Sequence, residues 1–242
     1  MKRGFWIALL ALVAFALVLL ARLPASWVLP TRGSFTCQSI EGTLWSGGCG
    51  SLTVARNPVG DLTWDLHPVR LLAGKLAAHV TLVREGAGAT ADVELGLGGR
   101  VSARNVKADL PLDPKLLPAL PATLRGQAHL DLALARLQAG TLRELRGTLE
   151  AHDLVDQAGN KTALGSYSVT FSGGEPPVGQ LKDLGGPLAV EGTIRLTPEG
   201  GFEVQGLVAP RPGAAPELLD NLRFLGSPDA SGRRAFALSG TF

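Results

Sequence analysis

The chain is poor in several things at once. Lys and Arg number 23 against 21 Asp and Glu over 242 residues, leaving a net charge of +2. No basic block runs long enough to track a phosphate backbone, so nucleic acid drops out as a partner. Aromatic residues make up only 5% of the chain, with one tyrosine and one methionine. Its four histidines, His67, His79, His129 and His152, lack the spacing of metal ligands. There are two cysteines, Cys37 and Cys49, too few to build a thiolate cluster alone. In an oxidising compartment such a pair reads as a disulfide. Two buried thiols, or half of a metal site, are the alternatives. What the chain has in quantity is glycine, 31 residues, and proline, 16 residues, a composition of short strands and turns.

It also has one long apolar run. After Lys2 and Arg3 no charge occurs from Gly4 to Ala21, enough for a membrane helix, which needs roughly 17–25 residues. A cleaved signal peptide is the alternative, but its apolar region is usually about 7–15 residues. "ARLPASWV" also offers no clear small-x-small cleavage site. The expectation is an uncleaved anchor: residues 1–3 cytoplasmic, 4–21 a transmembrane helix, 22–34 a linker and 35–242 an exported β domain. Charges flanking the span nearly balance, so the large domain following it decides the orientation.

Past residue 34, apolar and polar residues alternate with period two. Leu62, Trp64 and Leu66 alternate with Asp61, Thr63 and Asp65, and Leu76 to Leu82 behave alike. Ala128, Leu130, Leu132 and Leu134 face one way, with Gln127, His129 and Asp131 opposite. The fold class is therefore mainly β, an antiparallel sheet with one apolar face and one or two short helices. Glycine recurs as apolar-x-Gly-x-apolar, centred on Gly42, Gly74, Gly99, Gly126, Gly147, Gly192, Gly206 and Gly240. Either the sheet is strongly curved at these points, or each glycine admits a bulky neighbour or follows a turn.

A slip of apolar phase near residue 105 predicts a bulge. Pro216 to Leu225 predicts a helix, with Leu218, Leu222 and Leu225 on one face and Gly226 after it. Pro111 to Pro121 predicts one helical turn. "FSGGEPPVGQLKDLGGP" reads as a loop, with a hinge near 173–187.

Chemistry is hard to find. "GAGATA", Gly86 to Ala91, fits a loose dinucleotide fingerprint, but alternation follows it where a helix is required, so it reads as a hairpin loop. "LWSGG" lacks the first glycine of a nucleophile elbow. Asp61 and Asp65 sit on a wet face. The chain does not read as an enzyme, and no cofactor or metal is expected.

The two ends carry a resemblance. "GTLWSGGCGSLTV" with "LTWDLHPVRLLAGKL", and the tail "PELLDNLRFLGSPDASGRRAFALSGTF", resemble protein N of the bacterial type II secretion system. Gly42, Leu44, Trp45, Gly47, Trp64, Leu72, Gly74, Leu225, Gly226 and Gly240 carry it as structural markers. Trp45 is expected as packed core beside a Ser46-Gly47-Gly48 turn. The resemblance implies a single-pass protein of the bacterial inner membrane with its C-terminal domain in the periplasm. Its partners would be other secretion subunits and the membrane. The family's fold is also similar to that of AsmA-type tethered proteins. That leaves a lipid-handling module with an apolar groove as the alternative to a contact-making subunit.

Overall fold

The structure, a computed structural model, describes residues 2–28, 35–54, 57–113, 121–158, 161–198 and 200–241. Contacts divide the chain into two compact units, Met1–Glu85 and Gly86–Phe242.

The first unit opens with helix α1, Lys2–Ala21, 20 residues and about 30 Å long at the helical rise. Several side chains within it lie outside the described set. Among the described residues no helix is long and apolar enough to cross a membrane, so the expected transmembrane helix over Gly4–Ala21 does not emerge from the structure. A short α2, Ala25–Val28, follows. Strands β1 (Phe35–Thr36) and β2 (Ser39–Gly42) both pair with β3 (Ser46–Val54). The order continues through β4 (Asn57–Leu66) and β5 (Leu76–Arg84), all antiparallel.

The second unit adds strands in chain order: β6 (Ala87–Gly96), β7 (Arg100–Pro111), β8 (Leu124–Gln138), β9 (Thr141–Asp156) and β10 (Thr162–Ser172). Then come β11 (Val178–Gly185), β12 (Leu188–Thr197), β13 (Gly201–Pro210), helix α3 (Pro216–Arg223) and β14 (Arg234–Thr241). From β7 onward each pairs antiparallel with the strand before it. The alternation works as expected: Ala128 and Leu132 are buried, while Gln127, His129 and Asp131 are exposed.

Several glycines make room for a ring on the next strand. In register, Gly47 faces Trp64, Gly206 faces Phe236 and Gly240 faces Phe202. Phe171 lies between Gly147 and Gly179 and is buried to 5% exposure. A Cβ on Gly240 would stand 2.8 Å from Phe202 Cζ, and one on Gly179 2.8 Å from Phe171 Cε1. The few large rings lie across backbone that has no side chain to displace them, which offsets the packing a glycine otherwise loses.

Other glycines in the pattern are not in strand interiors. Gly74 ends a 3-10 turn, Pro68–Ala73, with φ +67°. Gly99 belongs to the β6–β7 turn and Gly42 ends β2, both in the left-handed region. The apolar-x-Gly-x-apolar spacing fits a glycine closing a turn as well as one inside a strand.

The bulge near 105 is present. Register shifts between Thr90 and Asp92, and Asn105 takes φ +50° while its Nδ2 donates to Asp92 at 2.8 Å. Helix α3 buries Leu218 and Leu222 behind Pro216, but it ends at Arg223, so Leu225 and Gly226 lie beyond it. The loop expected over 171–187 is corrected: β11 runs through it, between β10 and β12. Its buried position is Gly179 under Phe171, so the usual apolar signal is missing there. "GAGATA" is likewise mostly strand β6. The helical turn expected over 111–121 lies largely outside the described residues.

Candidate functional site

The markers of the opening stretch converge where α1 meets the first sheet. Helix α1 ends at Ala21, and its last carbonyls need donors. Trp45 supplies one, its indole N–H donating to the Leu20 carbonyl at 2.7 Å. Leu44 N–H donates to Leu23 O at 2.9 Å, and Pro24 bridges to Thr43. Ala25 beside them is fully buried. Trp45 is thus half-buried and holds the helix end to the hairpin.

The hairpin itself is clamped from β4. The Trp64 indole N–H donates to Leu44 O at 3.1 Å, and its ring lies over Gly47, where a Cβ would come within 2.7 Å of Cζ2. Leu66 N–H donates to Trp45 O at 2.6 Å. Gly42 takes φ +83°, and a Cβ there would stand 2.5 Å from Ser46 O, so no other residue fits this turn without strain. The tight bend is Thr43–Trp45, with Ser46 to Gly48 already in β3, a correction to the expected Ser46-Gly47-Gly48 turn. Gly42, Leu44, Trp45, Gly47 and Trp64 form one contiguous arrangement.

The disulfide Cys37–Cys49 lies behind it, with Cα atoms 5.5 Å apart and Cys49 buried. It ties the segment between β1 and β2 to β3. Asp61, expected as merely solvated, accepts from Ser51 N–H at 2.8 Å and so holds a bulge where Ser51 has φ +50°. Leu72 and Gly74 belong to the 3-10 turn after β4, with Leu72 91% exposed. Leu225, Gly226 and Gly240 belong to the second unit, where the Arg234 guanidinium donates to the Gly226 carbonyl.

Sequence spacing missed a polar cluster on β7, β8 and β9. Register places Asp109 beside His129 and His129 beside Glu150. His129 Nδ1 pairs with Asp109, His152 Nε2 lies 2.8 Å from Glu150, and the two rings meet edge-on at 5.1 Å. Asp109, His129 and Glu150 border a cavity of about 450 Å³ lined also by Lys107, Asp131 and Thr148. Only strand register could have revealed this, since the partners come from three strands. Among the described residues no group of three His, Cys, Asp or Glu could hold a metal ion.

A second polar knot staples the β11–β12 turn. Burial pushes the Asp183 carboxyl up. The Arg211 guanidinium at 2.5 Å and the N–H groups of Val190 and Gly185 outweigh that and hold it below its ordinary value. The same guanidinium donates to the carbonyls of Gly186 and Leu188, both at 3.1 Å. Burial and then Asp183 raise the Tyr167 hydroxyl, which donates to Leu164 O at 2.6 Å. These groups hold backbone in place.

Residues 34–237 match the family model described as type II secretion system (T2SS), protein N. The type II secretion system protein N of Aeromonas hydrophila is 30% identical over 246 residues, covering 96% of each chain. That of Vibrio cholerae serotype O1 is 29% identical over 264 residues, covering 99% of each. No solved structure matches the chain. The chain belongs to the type II secretion system protein N family, which implies a role in type II secretion and contact with other components of that system.

Proposed function

We propose that the chain is a single-pass inner-membrane subunit whose β units lie in the periplasm. There it supports export of folded proteins by contacts of its sheets with other secretion subunits and performs no chemistry of its own. The observation that carries the anchor is the exposure of α1. Ile7, Leu12, Phe15 and Leu20 are 68%, 64%, 62% and 51% exposed. At 3.6 residues per turn they fall on all sides of the helix, and Leu10, 67% exposed, fills the remaining gap. A helix apolar all round belongs in a protein core or in lipid, not in water.

Two features support contacts as the mode of action. Strand β14 pairs with β13 alone among the described residues, leaving an edge open to strand addition, with Leu238 61% exposed on it. Bulges at Ser51 and Asn105 bend their strands, in keeping with a curved sheet. The lipid-handling alternative gains nothing from the cavity, whose lining is charged.

The test is complementation of a strain lacking the gene, combined with a reporter active only in the periplasm and fused after Phe242. An active reporter, lost export without the gene, and normal export with His129→Ala or Asp65→Ala are expected. Normal export without the gene, accompanied by altered membrane lipid composition, would turn the reading to lipid handling. Loss of export by a folded, abundant His129→Ala variant would turn it to a chemical or ligand site at the polar cluster.

A further inference from the structure

The 3-10 turn Pro68–Ala73 has no buried residue. It exposes Val69 by 76%, Leu71 by 43% and Leu72 by 91%. The turn is not a loose loop. His67 N–H donates to Ala77 O, Arg70 N–H to His67 O, Gly74 N–H to Leu71 O and Lys75 N–H to Arg70 O, at 2.8 to 3.1 Å. A rigid backbone therefore presents apolar side chains outward.

The position of the turn says what they face. It begins two residues after Leu66, whose N–H is bonded to Trp45 O, and the Trp45 indole is bonded to the end of α1. The turn thus lies at the same end of the first sheet as the helix terminus. Helix α2 leaves α1 at that end too, with Trp27 79% exposed. Outside α1, Leu72, Trp27 and Val69 are the most exposed large apolar side chains described in this unit. The opposite end of the sheet carries less exposed ones, Val83 at 57% and Phe35 at 58%. Arg70 lies between Val69 and Leu72, Arg22 five residues before Trp27 and Lys75 three after Leu72, bringing positive charge to the same end.

We infer that this end of the first unit lies on the bilayer. Val69 and Leu72 enter the boundary between headgroups and acyl chains, Trp27 sits at headgroup level, and the basic side chains meet lipid phosphates. The inference rests on the proposal that α1 crosses the membrane, and it adds a second, interfacial contact. Two contacts fix the tilt of the first sheet relative to the membrane, which a lone helix followed by a linker would leave free.

The experiment uses the full chain with Leu72→Cys, labelled without reductant by an environment-sensitive fluorophore. Cys37 and Cys49 are joined and do not react. Val83→Cys is the comparison, five residues along β5 from the register position of Leu66, or about 17 Å further from the helix end. Both proteins are placed in phosphatidylcholine–phosphatidylglycerol vesicles containing a shallow spin-labelled lipid. A blue-shifted Leu72 probe quenched several-fold more than the Val83 probe is expected. Equal, water-like emission from both probes, in protein that resists alkaline carbonate extraction, would overturn the interfacial contact alone. It would leave the turn as a surface for a protein partner. Release of the chain by carbonate would overturn the membrane crossing, and the interfacial contact with it.

Discussion

The pairing of Gly240 with Phe202 can be tested by removing each side of it. A Cβ on Gly240 would stand 2.8 and 2.9 Å from Phe202 Cζ and Cε1, and its three nearest neighbours are all atoms of that ring. Carbon atoms prefer about 3.5–4.0 Å, so the ring must leave its position, and overpacking of this kind costs about 1–3 kcal/mol. Phe202→Ala alone loses a half-buried ring, about half of the 1.5–3 kcal/mol that full burial contributes. Once the ring is gone, so are the three atoms that a Cβ on Gly240 approaches most closely. Gly240→Ala also recovers the roughly 0.5–1 kcal/mol that a glycine costs inside a strand. The double variant should therefore be more stable than the sum of the singles by about 1–3 kcal/mol, well outside ordinary additivity. The assay is urea unfolding of the full chain in detergent followed by far-ultraviolet circular dichroism. Tryptophan emission would not serve, because Trp6, Trp27, Trp45 and Trp64 all lie in the first unit. With a slope of about 2 kcal/mol/M, the coupling appears as a midpoint difference of roughly 0.5–1.5 M. Additivity within about 0.5 kcal/mol, or a stabilising Gly240→Ala single variant, would refute the argument that the glycine exists to seat the ring.

Two further outcomes follow from the polar knot and the disulfide. Asp183 has a folded-state pKa below its unfolded value, so its contribution is present above about pH 4 and is lost as pH falls through the folded value. Asp183→Asn should therefore cost about 1 kcal/mol at neutral pH, with solvent at Arg211 keeping the loss small. The gap to the parent protein should narrow in acid, and a gap independent of pH would refute the assignment. Protein isolated without reductant should show no alkylation at Cys37 or Cys49 after denaturation. Replacing both by Ser should lower stability by about 2–5 kcal/mol in thermal unfolding.

Strands were legible wherever apolar side chains mark the buried face, as in β4, β5 and β8. The Asn105 bulge was legible because it shifts that phase. Strand β11 was not, because its buried position is a glycine filled by the ring of Phe171 from β10, a fact carried by register. The same holds for the pairing of His129 with Asp109 and Glu150. The 3-10 turn was left undecided because Leu72-Gly74-Leu76 has the spacing of a strand and also of a turn closed by a left-handed glycine. At the junction, the family resemblance marked Gly42, Trp45 and Trp64 only as members of a longer set of structural markers. It did not show that the Trp45 indole reaches back to the end of α1.

Within the second unit, every strand from β7 onward pairs with its immediate predecessor, a feature with a kinetic meaning. No strand must wait for a partner made much later, so loop-closure costs are those of successive short connections. A chain emerging N-terminus first can add each hairpin to an edge already formed, burying apolar residues as they appear. The two cysteines come within the first 50 residues, so the crosslink can close before most of the sheet exists. The last strand to arrive, β14, brings Phe236 onto Gly206 and Gly240 under Phe202. Truncation at the C-terminus should therefore leave a growing edge exposed, whereas a defect early in this unit would deprive its later strands of their template.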